Sequence, residues 1–177
     1  MIKVNDYNSI SCYIDDRVKD GEVRMLVSDF TILWNQYERA LYQGEHHIRD
    51  IENKLHSYSE IMDIDKLDKL YNRFCEYLKY RDISFDYKGI KTAYNIKIKD
   101  DYPNKRGDLY RKQLECAITD NSSFSRAYLL LIIIAKVRNN MFHGNKGAWE
   151  LKEQKELFKI CNEMLMSVLE ITKLKDF

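Results

Sequence analysis

The chain has 177 residues, 45% of them hydrophobic and 32% charged, and a net charge of +1. That length holds one domain with a substantial core, and a charge so near zero excludes the global attraction for nucleic acid shown by very basic proteins. A single Pro and 6 Gly leave little punctuation for a many-stranded fold, so helices are expected.

Residues 1–20 are mixed and acidic-polar and read as an N-terminal arm. The opening MIKVNDYNSISCYIDD lacks an apolar run of signal-peptide length, so secretion is not expected. From Glu22 the pattern turns helical: Val23, Leu26, Val27, Phe30, Leu33, Trp34, Tyr37 and Leu41 recur at steps of three and four, with Gly44 as the stop. A second helical region covers roughly 46–80. Its register slips near Met62–Asp65, where Asp63 or Asp65 can cap a fresh helix.

Between Asp82 and Gly107 the helical signal fails. Ile83, Phe85 and Tyr87 alternate, as do Tyr94, Ile96 and Ile98, so a short irregular or β-like insertion is expected there. A weak helix over 108–118 and a turn at Asn121-Ser122-Ser123 follow. The next helix, from Ser123 to Phe142, is apolar nearly all round and so belongs at the centre of the fold. After the loop Gly144-Asn145-Lys146-Gly147, a last helix is expected over 148–173 on Leu157, Phe158, Cys161, Met164, Leu165, Val168 and Ile171. The expected fold is a single all-α domain spanning 1–177, a bundle of about five helices carrying one insertion.

Cys12, Cys75, Cys116 and Cys161 are widely spaced and form no CxxC pair, which suits reduced thiols in a cytoplasm better than a disulfide framework. The longest strongly apolar run, Leu129–Ala135, is far too short to span a bilayer, so no membrane partner is expected. His46, His47 and His56 include no i, i+4 pair. No Gly-rich phosphate loop and no HExxH string occur either, so neither a metal nor a cofactor is expected.

Chemistry concentrates where the apolar helix ends, in Arg138-Asn139-Asn140-Met141-Phe142-His143, with Gly144 next. Arginine is always charged and matches phosphate oxygens, while histidine moves protons near neutrality. In RNA the 2′-hydroxyl is an internal nucleophile beside the phosphorus. A protein then needs to supply only proton transfer and a cation for the phosphorane. His143 is the candidate proton carrier, Arg138 the phosphate clamp, and Asn139 a residue that hydrogen-bonds the backbone or orients His143. Lys136, Lys146 and Asn140 flank them as candidate RNA contacts, with Arg126 more remote. A helix C-terminus favours a cationic imidazole, which suits a general acid better than a base. Met141 and Phe142 read as packing residues, and Glu38 as an ordinary carboxylate one position off the first helix's apolar stripe.

The string Ala135-Lys136-Val137-Arg138-Asn139-Asn140-Met141-Phe142-His143-Gly144-Asn145-Lys146 resembles the signature of HEPN domains: Arg, a polar residue, then four to six residues in all before His. Here the polar residue is Asn139 and four residues intervene. Leu33-Trp34-Asn35-Gln36-Tyr37-Glu38 is more loosely similar to the first helix of several bacterial groups in that family. The resemblance covers residues 22–174 apart from 82–107.

It implies a helical bundle that dimerises with two motifs facing each other, acting as a metal-independent endoribonuclease. Such proteins are commonly toxins or antiviral effectors, often beside a nucleotidyltransferase-type antitoxin. Because each chain offers one motif histidine, a base-and-acid pair would need two protomers and make a composite active site. The competing expectations are a non-catalytic module binding RNA, a nucleotide or a protein, and a helical interaction protein in which the motif is coincidental.

Overall fold

Asp20 and Asp63 each begin a helix by the same device, a carboxylate accepting a hydrogen bond from a backbone N–H in the first turn (Glu22 and Lys66, both 3.0 Å). The computed structural model describes residues 20–43, 50–56, 63–94, 96, 105–120, 122–142 and 153–175. Among these, seven helices and no strand are found: α1 (Gly21–Tyr42), α2 (Ile51–His56), α3 (Ile64–Tyr80), α4 (Tyr87–Ala93), α5 (Lys105–Thr119), α6 (Ser123–Phe142) and α7 (Lys155–Lys175). The all-α class is as expected, while the number of helices exceeds five.

Two differences explain the higher number. The break in the second helical region separates α2 from α3, with Asp63 rather than Asp65 as the cap. The described residues after α3 form a turn and a short helix and include no strand. Asp82 takes a left-handed conformation (φ 53°), its N–H donates to the Lys79 carbonyl, and the Ile83 N–H donates to the Leu78 carbonyl at 2.9 Å. This pair of bonds is a Schellman ending, in which the residue two beyond the cap packs back on the helix. Ile83 is thus the apolar latch of α3 and not the first residue of a strand. Phe85 meets Tyr71 edge-on, and Asp86 caps α4 by accepting from the Gly89 N–H at 2.7 Å. Tyr87, the first residue of α4, packs partly buried against the core, so three separate roles generate the alternation at 83, 85 and 87.

Gly89 is required at that position: a Cβ there would run into the backbone carbonyl oxygen of Ser84. Ile90, Tyr94 and Ile96 are buried behind it. Ile98 and the rest of 97–104 lie outside the described residues, as do residues 1–19 and Gly44. The left-handed residue ending α1 is Gln43 (φ 54°).

Cross-helix contacts give the helix directions. Lys155 pairs with Glu22, Asn162 donates to the Leu26 carbonyl, and Val168 and Ile171 line one small cavity with Tyr37 and Leu41, so α1 and α7 run parallel. Arg81 pairs with Glu153, Arg73 with Glu156 and Glu163, and Lys66 with Glu170, so α3 runs antiparallel to α7. The cations 66 and 73 and the acids 170, 163 and 156 repeat every seven residues, as charges flanking an apolar helix seam do.

α6 passes through the middle. Every residue from Ala127 to Ala135 is buried, against α2, α3, α5 and α7. Its N-terminus is fixed by Ser122, which accepts from the Ser125 N–H, and by Asp120, which accepts from both hydroxyls. One hydrophobic core joins residues of all seven helices. No described helix is long and apolar enough to cross a membrane.

Candidate functional site

α6 emerges from the core at its last two turns. After the buried run, Lys136, Arg138, Asn139, Asn140 and Met141 are half-buried, while Val137 stays inside. Successive residues of a helix are turned by about 100°, so Arg138 and Lys136 look to opposite sides, and Lys136 shares a side with Asn140.

On Arg138's side stands α1. The guanidinium carbon lies 5.9 Å from the centre of the Trp34 ring. Nη1 donates to the Asn139 Oδ1 at 3.1 Å, and Nε is shielded from solvent. Trp34 is 3% exposed. Its ring is set by Tyr37, 5.3 Å away, and the Tyr37 and Tyr42 hydroxyls are hydrogen-bonded at 3.1 Å. Burial together with that neighbour raises the Tyr37 phenol well above the ordinary range, so it stays neutral.

On the other side stands the end of α4. The Asn140 Nδ2 donates to the Tyr94 carbonyl at 3.3 Å, which attaches the segment after α3 to the end of α6. Lys136 makes no ion pair among the described residues. Burial alone pushes its ammonium below the usual lysine value.

Of the six residues singled out in the sequence, four are therefore described and stand together on the last turns of α6. Arg138 and Asn139 touch; Asn140 is committed to Tyr94; Lys136 faces the opposite way from Arg138. His143 and Lys146 lie outside the described residues, and so does the side chain of Phe142. Arg126 belongs elsewhere. Twelve residues before Arg138, about 18 Å along the helix axis, it pairs with Asp68 at 2.5 Å and lies over the Tyr71 ring. His56 stacks on Phe124 at the far end of α6, and His46 and His47 are outside the described residues. No group of three metal-ligating side chains is found among the described residues. Glu38 is half-buried on α1, one turn beyond Trp34.

Two participants were not singled out in the sequence. Trp34 reads there as a member of the α1 apolar stripe and of the stretch resembling the family's first helix, without a role at the site, and Tyr94 only as part of an alternating run. Both reach the end of α6 through tertiary contacts, with no local pattern to mark them.

No protein-family model, no curated protein and no solved structure matches this chain.

Proposed function

We propose that the chain is a metal-independent endoribonuclease of HEPN type. It is the toxin or effector of a toxin–antitoxin or antiviral system and acts as a homodimer on single-stranded or looped RNA. The observation that carries this reading is the pairing of Arg138 with Asn139 where α6 leaves the core, within the motif string that continues to His143 and Lys146.

A guanidinium held by an aromatic ring and an amide oxygen keeps its remaining N–H groups in fixed directions. That is what a phosphorane oxygen needs from a cation. His143 follows directly on the last residue of α6. In the reaction the 2′-hydroxyl oxygen bonds to phosphorus and loses its proton to one imidazole. The bond from phosphorus to the 5′ oxygen breaks, and that oxygen takes a proton from a second imidazole. The products are a 2′,3′-cyclic phosphate and a 5′-hydroxyl. With one motif histidine per chain, the base is His143 of one protomer and the acid is the partner's His143. Proton transfer of this kind is worth about 10²–10⁴-fold. Lys136 and Lys146 hold flanking phosphates, and a nucleotidyltransferase-type antitoxin is the expected antagonist.

The test is cleavage of end-labelled RNA by the purified chain in EDTA, comparing it with Arg138→Ala and His143→Ala. Cleavage leaving cyclic phosphate ends, lost in both variants, is the expected result. Full activity in either variant, or an active monomer, overturns the assigned roles. RNA binding with no cleavage would assign the chain to the non-catalytic modules instead.

A further inference from the structure

We infer that Trp34 is a positioning residue for Arg138, holding the guanidinium at the angle at which it meets phosphate. The inference rests on the ribonuclease reading and adds to it a residue on another helix, distant in sequence from the motif.

Three observations converge. First, the Arg138 guanidinium carbon sits 5.9 Å from the Trp34 ring centre, within the range of attraction between a cation and an aromatic face. Guanidinium is planar, delocalised and weakly hydrated, so it stacks on such faces where an ammonium prefers water. Second, the ring cannot drift. Trp34 is buried in the α1 stripe, against Tyr37, whose hydroxyl is bonded to Tyr42. Third, the Asn139 Oδ1 takes one N–H of the same guanidinium. The side chain is thus set on a face by one contact and turned by another.

An arginine otherwise free to sample many rotamers at a helix end is preset before substrate arrives, and the alignment of a catalytic group is worth large factors in rate. A core tryptophan whose only task is to fill space would show its loss in the melting temperature, through the cavity left behind, and not in kcat at temperatures where the variant is folded. A positioning tryptophan would show it in kcat.

The experiment compares Trp34→Phe and Trp34→Leu with the parent chain in the RNA cleavage assay, with melting temperatures measured alongside. Trp34→Leu is expected to lower kcat roughly ten- to a hundredfold with KM little changed. Trp34→Phe, which keeps an aromatic face, should recover most of that loss at a similar melting temperature. Adding Trp34→Leu to Arg138→Lys, which keeps residual cleavage but no guanidinium, should cost little further, because the group it acts through is gone. Equal kcat for the Phe and Leu variants, or an additive loss in the double variant, overturns the inference.

A second measurement separates this inference from the ribonuclease reading. In a Trp149→Phe background, Trp34 is the single tryptophan. Arg138→Gln should then shift its emission, since a charge leaves the indole face. If the parent chain cleaves no RNA, the ribonuclease reading fails, and the emission spectrum decides the contact alone. An unchanged spectrum overturns it.

Discussion

The Arg138 guanidinium and the Trp34 indole, 5.9 Å apart, join the last turns of α6 to the middle of α1. Such a contact contributes about 0.5–2 kcal/mol depending on how dry it is. Its greater consequence is directional, because it sets one side of the candidate site from an element remote in sequence.

Charge alone should not satisfy the Arg138 position. Arg138→Lys keeps the cation but loses the guanidinium that lies over the Trp34 ring and the fork that bonds Asn139 and, on the proposed reading, would bond a phosphate as well. Cleavage is expected to fall on the order of 10²-fold, as when one preorganised donor to a developing charge is removed. The melting temperature should change little. A lysine variant cleaving at the parent rate would show that only charge matters.

Lys136 should carry a stability cost that depends on pH. Burial depresses its folded-state pKa below the ordinary 10.5, so the unfolded chain binds more protons between the two values. Stability therefore rises with pH across that window, and the cost is present in full below it. Lys136→Met is expected to melt higher than the parent at pH 7, with the gap closing as pH approaches 10.5. The same variant should bind RNA more weakly with a smaller salt dependence, one phosphate contact having been lost. Melting curves that shift equally at both pH values would contradict the burial argument.

Gly89 should be intolerant where Gly21 is not. A methyl group at 89 collides with the Ser84 carbonyl, while one at 21 meets nothing within 4 Å. Gly89→Ala is expected to cost about 1–3 kcal/mol through backbone displacement. Gly21→Ala, at the first turn of α1, should be neutral or stabilising by up to about 1 kcal/mol. Denaturant titrations of the two variants make the comparison, and equal midpoints would exclude the close approach.

The charged seam between α3 and α7 should depend on Arg73 more than on Lys66. Arg73 bonds Glu156 and both oxygens of Glu163, whereas Lys66 reaches one exposed carboxylate, Glu170. With all these groups partly solvated, Arg73→Ala is expected to cost about 1 kcal/mol, and Lys66→Ala close to nothing. The Arg73 effect should shrink in 1 M salt, where the Debye length falls to about 3 Å. A larger loss at Lys66 would reverse the ranking.

Local pattern determined much of this molecule. The steps of three and four from Val23 to Leu41, a cap at Asp63 or Asp65 and the unbroken apolar run inside α6 each follow from covalent spacing and side-chain chemistry within a few residues. The structure has α1, α3 and α6 where those signals lie. The grouping of Arg138 with Asn139 was legible for the same reason, since neighbours on one helix need no fold to meet. Tertiary structure alone decided three things. It made 82–94 an α3 latch and a short helix, because Ile83, Phe85 and Tyr87 answer to different partners. It bound Asn140 to Tyr94. And it put Trp34 beside Arg138, a contact across more than a hundred residues that exists only because α1 and α6 both pack on α7 and share one core.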